Sequence, residues 1–289
     1  MNPLLADLLQ VLQLERLELN LFRGESRDPG HHRVFGGQVL GQALAAACAT
    51  VEDRTVHSLH AYFLRAGDPD HPIIYDVDRS RDGTSFTSRR VVAIQHGQQI
   101  FHMSASFQAH ERGGMDRQVG MPEVPDPDSL PDLATAIEEM ARKAPDSPRP
   151  FVARDLPIEF RPAYLPDPLE GVPKDPMMRI WFRTVDRLPC DGVLHQALLA
   201  YASDYYLLGT AILDERLTVG HDNLQVASID HAMWFHRPAR ADEWLLYVLD
   251  SPNANGSRGF ARGSIFSRDG MLVASTAQEG LVRRRRGKA

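Results

Sequence analysis

The feature of this sequence that most constrains its fold is a pattern that occurs twice: one apolar helix followed by a run of short strands. The first copy has a helix at 34–49 and strands between 56 and 108, and the second has a helix at 193–206 and strands after 225. Turn signals rich in Gly, Asp and Pro separate the strands. This repetition predicts an internal duplication of the α+β class. The two copies would form one continuous sheet, or two sheets side by side, with both helices packed on the concave side.

Short elements also recur at matching places in the two copies. A His-Ala pair occurs at 60–61 and again at 231–232. Turn glycines between strands recur in the same way, and the pairs are Gly83 with Gly256 and Gly97 with Gly270. These correspondences predict that the strands of the two copies follow one another in the same order.

The segments outside the two copies differ from them in composition and in the spacing of apolar residues. Leucines at helical spacing between residues 4 and 19, namely Leu5, Leu8, Leu9 and Leu12, predict an amphipathic helix that leads into the first copy. Most of the prolines lie between residues 112 and 176, where no strand pattern is sustained and only 130–143 is suited to a helix. We therefore predict three parts, which are a first repeat at 1–115, a Pro-rich connector at 116–176, and a second repeat with a basic tail at 177–289.

Composition excludes several classes of protein. The net charge of −6 gives no reason to expect a nucleic-acid partner. Only two cysteines are present, Cys48 and Cys190, and their apolar surroundings favour buried thiols in a reducing compartment. The N-terminus lacks the pattern of a secretory signal, and no apolar run approaches the roughly 20 residues of a membrane span. These features predict a cytoplasmic protein without a membrane span.

The second helix carries the residue most suited to chemistry, Asp204. It lies on or beside an apolar stripe that includes Leu198 and Tyr201. A carboxylate that faces a core must find hydrogen-bond partners, become neutral, or be used in a reaction. The alternative is an aspartate at the rim of the stripe, solvated or near the end of the helix.

Longer motifs carry a resemblance to a known family. They are VFGGQVLGQAL at 34–44, HSLHAYFLRAGD at 57–68, YASD at 201–204, SIDHAMWFHRP at 228–238 and DGMLVASTAQEG at 269–280. With these motifs, the repeated pattern of one helix followed by a meander of strands resembles the type II (TesB-like) acyl-CoA thioesterases, which are double-hotdog proteins. The resemblance implies a tandem hotdog fold, with antiparallel sheets wrapped around long helices. It also implies the hydrolysis of fatty acyl-CoA to free fatty acid and CoA without a metal or cofactor.

In that family a water molecule is held by an Asp, a Thr and a Gln, and the motifs place these roles on Asp204, Ser228 and Gln278. Ser228 replaces the family's usual threonine, which keeps the hydroxyl but removes the methyl group. Thioester hydrolysis needs a positioned water, a group that takes its proton, and donors for the oxyanion. Gln278 would lie on the same face of the last strand as Ala274 and Thr276.

The first copy lacks the polar residues of the second. Ala46 corresponds to Asp204, and the strand that corresponds to Gln278 offers only residues 104–106, which are Ser, Ala and Ser. This difference predicts one working site for each duplicated unit. The backbone N–H groups of residues 36–38, Gly-Gly-Gln, could serve the thioester oxygen, although close helix–sheet packing explains the glycines equally well.

Other chemistries have weaker support. The sequence has no GxSxG elbow, phosphate-binding loop or dinucleotide fingerprint, and no HExxH or Cys/His set that would predict a metal site. His57 is an alternative general base. The alternative functions are a non-hydrolytic acyl-CoA-binding protein and a hotdog enoyl-CoA hydratase.

Free sheet edges and the resemblance predict a homo-oligomer, a dimer or a tetramer. Candidates for the CoA phosphates are Arg79, Arg81, Arg89, Arg90, Arg237, Arg258, Arg262 and the run at 283–286.

Overall fold

The computed structural model describes residues 1–28, 30, 32–111, 113–143, 156–164, 176–213 and 224–284. The helices are α1 (Pro3–Leu12), α2 (Gly36–Cys48), α3 (Leu133–Lys143), α4 (Gly192–Ser203) and α5 (Leu207–Thr210). The strands of the first half are β1 (Glu15–Glu18), β2 (Leu21–Gly24), β3 (Arg54–Phe63), β4 (Ile73–Asp82), β5 (Phe86–Gln95) and β6 (Gln98–Ala109). Those that follow are β7 (Ile158–Tyr164), β8 (Met177–Thr184), β9 (Leu224–Ser228), β10 (Asp230–Phe235), β11 (Leu245–Asn255), β12 (Arg258–Ser267) and β13 (Leu272–Arg284).

The strands form one sheet that runs through both halves of the chain. Its order is β1-β2-β4-β5-β6-β3-β10-β13-β12-β11-β8-β7, with β9 paired to β13 outside this path. The halves join where β3 pairs antiparallel with β10, so that Ala61 lies opposite His231. Of the two predicted arrangements, the continuous sheet is therefore the one observed. The predicted boundaries of the repeats stay a prediction.

Helices α2 and α4 pack against each other in opposite directions. A Cβ atom on Gly37 would lie 2.3 Å from the Tyr201 carbonyl oxygen, and one on Gly41 would lie 3.1 Å from the Ala197 carbonyl oxygen. Glycine at these positions allows this approach, because it has no Cβ atom. Helix α2 is buried along most of its length, as expected for a helix that a sheet wraps. The start of α2 and the end of α4 are thereby brought together.

The leading helix is shorter than predicted. Asn2 caps it by accepting a hydrogen bond from the Leu4 N–H group, and Leu5, Leu8 and Leu12 are buried. The helix ends at Leu12, however, and Glu15–Glu18 forms the edge strand β1 rather than more helix. Pairing with β2 overrides the helical spacing of the later leucines, because tertiary contacts outweigh local propensity.

The connector contains one strand that the sequence analysis did not predict. Helix α3 falls within the predicted 130–143. Strand β7, however, pairs with β8 at the far edge of the sheet. It contains Pro162, whose missing N–H group is tolerated at an edge but not in the middle of a sheet. The high proline content of this region is therefore the reason that its sequence did not predict a strand.

The predicted match between the two His-Ala pairs is wrong by one position. His60 is exposed and His231 is 1% exposed, so the two side chains lie on opposite faces of the sheet. Alternation along β3 and β10 instead places His231 on the same face as Ala61. One pair of turn glycines fits better, since Gly97 and Gly270 both adopt positive φ values, of 71° and 91°. In the other pair, Gly256 adopts a positive φ of 59° and Gly83 does not.

Both cysteines are free thiols, but they differ in environment. Cys48 is largely covered, and burial raises its pKa to about 12. Cys190 is exposed, contrary to the expectation of a buried thiol, and accepts a hydrogen bond from the Arg240 guanidinium. None of the helices in the described part of the chain has the length and apolar character that a membrane crossing requires.

Candidate active site

Asp204 lies at the carboxyl end of α4, one residue beyond the last helical position. Its side chain is only 6% exposed. The chain then turns sharply, because Tyr206 adopts a left-handed conformation with φ of 63°. The alternative of an aspartate near a helix end is thus correct in position, but the carboxylate is not solvated. It lies at the negative end of the helix dipole, an environment that disfavours its charge.

Gln278 contacts this carboxylate directly. Its side-chain amide nitrogen donates a hydrogen bond of 2.9 Å to Oδ1 of Asp204. Gln278 is fully buried on β13, where Ala274 and Thr276 share its face. Strand β13 and helix α4 therefore bring two of the three predicted residues into direct contact.

The first turn of α2 covers the other oxygen of the carboxylate. A Cβ atom on Gly36 would lie 2.6 Å from Oδ2 of Asp204. The residue before α2, Phe35, provides no side-chain cap, so the first N–H groups of the helix are available to another acceptor. The helix N-terminus is positive, which offsets part of the unfavourable field at the end of α4.

Burial raises the pKa of Asp204 above that of an ordinary aspartate. The hydrogen bond from Gln278, one from the backbone of Gly37, and the positive charge of Arg33 act in the opposite direction. Arg33 is exposed and makes no hydrogen bond or ion pair with another described residue. Arg33 was not among the residues predicted for the site. Its position just before the N-terminus of α2 is the feature of the sequence that could have indicated it.

His231 contacts the side chain of Gln278 and was not predicted to belong to the site. Its Nδ1 is 3.2 Å from the Gln278 amide nitrogen, and its Nε2 is 3.0 Å from the Ser203 hydroxyl. Burial lowers the pKa of His231 to about 3, so the imidazole is neutral. The distance of 3.9 Å between its Nδ1 and Oδ1 of Asp204 is therefore not an ion pair.

A buried network holds the opposite side of His231. The Ser203 hydroxyl donates to the Ala200 carbonyl oxygen at 2.8 Å. The Tyr247 hydroxyl donates to the Ser203 carbonyl oxygen at 3.0 Å and bonds the Thr276 hydroxyl at 2.8 Å. Two strands and one helix are thereby tied together behind the site.

One polar atom in the site is buried and has no partner. The side-chain carbonyl oxygen of Gln278, Oε1, accepts no hydrogen bond from any residue in the described ranges. An unpartnered buried acceptor costs roughly 1–3 kcal/mol. It is therefore the place where a water or substrate donor would gain most.

Ser228 lies on the strand beside β13 and makes no hydrogen bond to this pair. Strand β9 places Ser228 opposite Gly280, two residues beyond Gln278 on β13. Ser228 is partly buried, and its hydroxyl bonds none of the residues that the structure describes. The third predicted residue is thus a neighbour of the site without a direct hydrogen bond to Asp204 or Gln278.

The alternative base, His57, is engaged elsewhere. Its Nε2 lies 2.8 Å from the Ser106 hydroxyl on β6, and it makes no hydrogen bond to Asp204 or Gln278. Ala46, the counterpart of Asp204 in the first half, is a buried alanine. The described part of the first half therefore has no equivalent carboxylate at this position.

Five of the seven arginines proposed individually for the CoA phosphates are already paired. Arg89 is 3% exposed and bonds Thr50 and Asp82. Acidic or amide side chains bond four others, which are Arg79, Arg237, Arg258 and Arg262. Within the described ranges, Arg81 and Arg90 form no such side-chain pair.

One group of side chains in the described ranges has the spacing of metal ligands, although the sequence predicted none. It consists of Asp68, His71 and His96, at the loop after β3 and the β5–β6 turn. Both imidazoles already hydrogen-bond the Asp68 carboxylate at 2.9 Å. These hydrogen bonds account for the geometry, and the group does not contact the Asp204 site.

Comparisons with known proteins agree with this architecture. Residues 151–281 match the family described as acyl-CoA thioesterase, and residues 25–108 match the acyl-CoA thioesterase N-terminal domain. Acyl-CoA thioesterase 2 of Haemophilus influenzae is 43% identical over 98% of this chain and 99% of its own length. The chain belongs to the acyl-CoA thioesterase family.

Solved structures support the same assignment. The crystal structure of the acyl-CoA thioesterase II TesB2 of Mycobacterium marinum is 43% identical and covers 97% of this chain and 100% of that chain, with a TM-score of 0.78. A protein with a hot dog fold from Alicyclobacillus acidocaldarius covers 97% of this chain and 99% of its own, at 17% identity and a TM-score of 0.76, and so supports the fold alone. The predicted tandem hotdog fold is confirmed.

Proposed function

We propose that this protein hydrolyses fatty acyl-CoA thioesters to a free fatty acid and CoA, using a water activated by Asp204. The observation that carries the proposal is the pairing of a buried carboxylate with a glutamine whose carbonyl oxygen has no partner. A carboxylate with a raised pKa is a stronger base than an ordinary aspartate. Family membership supports the same chemistry.

The reaction assigns one task to each polar group. Asp204 takes a proton as the water oxygen bonds the thioester carbonyl carbon. Gln278 Oε1 accepts the water's other hydrogen, and the free hydroxyl of Ser228 bonds the water without touching the other two groups. When the tetrahedral intermediate collapses, the carbon–sulfur bond breaks and the proton held by Asp204 passes to the leaving CoA sulfur.

The developing oxyanion needs hydrogen-bond donors, and we assign this role to the start of α2. The Gly37 N–H group already donates to the Asp204 carboxylate, whereas that of Gly36, the first residue of α2, is not capped by the side chain before the helix and remains for the oxyanion. A helix N-terminus adds the field of its dipole to this donor. This arrangement draws the base from the second half of the chain and the oxyanion donors from the first.

The test compares wild type with Asp204→Asn, by following release of free CoA thiol from a fatty acyl-CoA. The variant keeps the size of the side chain but cannot accept the proton. We expect turnover to fall by about 10²–10⁴-fold, as for loss of a general base. Binding of a non-hydrolysable acyl-CoA thioether should persist. Unchanged turnover in Asp204→Asn together with an inactive His57→Ala would move the base to the histidine.

The same assay separates hydrolysis from the two other functions. A non-hydrolytic acyl-CoA-binding protein would bind the thioether but release no thiol from any acyl-CoA. An enoyl-CoA hydratase would consume the double bond of an enoyl-CoA and leave the thioester intact. Thiol release by wild type is the result that we expect.

We further propose that the protein is a cytoplasmic homo-oligomer, a dimer or a tetramer. Among the described residues, strands β1 and β7 end the sheet, so each leaves one row of backbone groups without a neighbouring strand in that part of the chain. Two free thiols fit a reducing compartment. Light scattering at micromolar concentration should give a multiple of the chain mass, and a monomer would refute the oligomer.

A further inference from the structure

We propose that His231 is a positioning residue that fixes the rotation of the Gln278 amide, so that the carbonyl oxygen and not the nitrogen meets the reacting water. The inference rests on the proposed function, because it assigns the direction of a hydrogen bond in that reaction. It does not make His231 a base or a nucleophile.

The side-chain amide of Gln278 has two hydrogens to donate. The nitrogen lies 2.9 Å from Oδ1 of Asp204 and 3.2 Å from Nδ1 of His231. Each contact can take one of the two N–H groups. The reversed amide would place its oxygen against a carboxylate oxygen and a ring nitrogen, which both carry lone pairs. The two neighbours together therefore allow only one orientation.

The second step shows that Nδ1 of His231 carries a lone pair. The Ser203 hydroxyl has one hydrogen, and it is directed to the Ala200 carbonyl oxygen at 2.8 Å. Toward Nε2 of His231, at 3.0 Å, that hydroxyl can therefore act only as an acceptor. The neutral imidazole carries its proton on Nε2 and leaves Nδ1 free to accept. This tautomer follows from the hydrogen-bond network.

The third step concerns the charge of His231. Its neighbours in the described part of the chain include Ala61 on β3, Gln278 on β13 and Ser203 on α4, and none of these three carries a charge. The titratable neighbour is Asp204, whose Oδ1 lies 3.9 Å from Nδ1 without a hydrogen bond. At 1% exposure, the ring has no solvent to stabilise a cation, in agreement with a pKa of about 3. A charged ring would donate from Nδ1 and would turn the amide around.

These steps leave Oε1 of Gln278 as the only open atom of the amide, and it is buried without a described partner. It can therefore accept a hydrogen from the water whose other hydrogen goes to Asp204. Without the contact to Nδ1, one amide N–H would lose its acceptor and the amide would rotate more freely. For part of the time the water would then lose its second acceptor, and Asp204 would lose the hydrogen bond from the amide while keeping the one from the Gly37 backbone.

The test uses three substitutions of His231, which remove the contact made by Nε2, the contact made by Nδ1, or both. His231→Asn keeps an acceptor near the Nδ1 position and loses the contact to Ser203. His231→Gln places its amide near the Nε2 position and loses the acceptor that faces Gln278. His231→Leu removes both. We expect kcat for thiol release to fall by about 10- to 100-fold in the Leu and Gln variants, the effect of one buried hydrogen bond. The Asn variant should stay within about fivefold of wild type, and KM should change little in all three.

The pH profile supplies a readout that a merely structural role would not move. Donation from Gln278 lowers the pKa of Asp204, so loss of a fixed amide should shift the acid limb of kcat to higher pH. We expect this shift in the Leu and Gln variants and not in the Asn variant. Equal losses in the Asn and Gln variants, or an unshifted acid limb in all three, would overturn the proposal.

A measurement without turnover separates this inference from the proposed function. Nitrogen-15 NMR of histidine-labelled wild type reports the tautomer and charge of His231 directly. We expect the neutral form with the proton on Nε2 throughout pH 5 to 9. A proton on Nδ1, or a cation in that range, would overturn the role of His231 even if thiol release is normal. Absence of thiol release with the expected tautomer would refute the proposed function alone.

Discussion

At the scale of single residues, the site depends on opposing influences on one carboxylate. Burial and the end of α4 disfavour the charge of Asp204, whereas Gln278, the Gly37 backbone and Arg33 favour it. Burial has the largest effect, so the pKa is raised. The residue is therefore a better proton acceptor than a surface aspartate.

The raised pKa has a predictable effect on the dependence of rate on pH. Asp204 must be ionised to accept a proton, so kcat should fall as the pH falls through its pKa. Because that pKa is raised, the acid limb should lie above the ordinary range of an aspartate. Thiol release measured between pH 4 and 9 tests this expectation, and a limb at or below the ordinary aspartate pKa would contradict it.

The raised pKa of Asp204 also affects the free energy of unfolding. A carboxyl whose pKa is raised by folding destabilises the folded state when it is ionised, and the cost is absent below the pKa of the unfolded chain. The stability contributed by this group therefore falls as pH rises between the unfolded and folded values. Thermal unfolding of wild type and Asp204→Asn across this window should show their difference growing toward neutral pH.

Ser228 is predicted to orient water and not to attack the substrate. Ser228→Thr should be tolerated because the hydroxyl is kept, and Ser228→Ala should cost roughly 1–3 kcal/mol in transition-state stabilisation. The loss in turnover should be smaller than in Asp204→Asn. Mass spectrometry of protein quenched during turnover should show no acyl adduct. An acylated wild type, together with an inactive Ser228→Ala, would identify the serine as a nucleophile.

At the scale of elements, the site lies where the start of α2 meets the end of α4. Gly36 is the first residue of α2, and a Cβ atom there would lie 2.6 Å from Oδ2 of Asp204. Gly36→Ala should therefore displace the carboxylate and lower kcat by about tenfold or more, since small misplacements of catalytic groups are costly. The measurement is thiol release, with thermal unfolding as a check on folding.

A matched control is available for that substitution. Gly192 is the first residue of α4, and a Cβ atom on it would meet nothing within 4 Å. Gly192→Ala makes the same change at the same helix position without approaching Asp204, so its turnover should match wild type. Equal losses in the two variants would show that the effect is one of helix stability and not of the site.

The elements also show how far sequence reasoning extends. The four strands between 54 and 109 and the helices α2 and α4 were predictable, because their periodicity and turn signals agree with their burial. Strand β7 was not, because Pro162 weakens its pattern and its stability comes from pairing with β8. Helix α1 was predicted too long for a related reason, since pairing with β2 decides the conformation of β1.

The site was predictable only in part. Asp204 and Gln278 were recognised from motifs, and the structure brings them into contact. His231 was missed, although it alternates with Met233 and Phe235 along β10, which are both buried. That alternation was the signal that it faces inward. The partner atoms of its ring depend on the packing of α4 against β13, and neither spacing nor composition encodes that packing.

At the scale of the whole molecule, the two halves share one sheet and one site. The join at β3 and β10 makes the sheet continuous. Gly36 reaches Asp204 from the first half, while Gln278 and His231 come from the second. Each half alone would expose the faces of α2 or α4 that now pack together, and neither would contain a complete set of groups.

This division leads to a test by interruption of the chain between α3 and β7. Each fragment produced alone should release no thiol, because the fragment with Asp204 lacks the first turn of α2 and the other lacks the base. Co-expression should restore activity, since the α2–α4 packing and the β3–β10 pairing need no covalent link between the fragments. The matched control is co-expression with an Asp204→Asn second fragment, which should assemble equally well and stay inactive. Activity in the second fragment alone would show that the first half contributes nothing to catalysis, and the oxyanion donors would then have to lie elsewhere than α2.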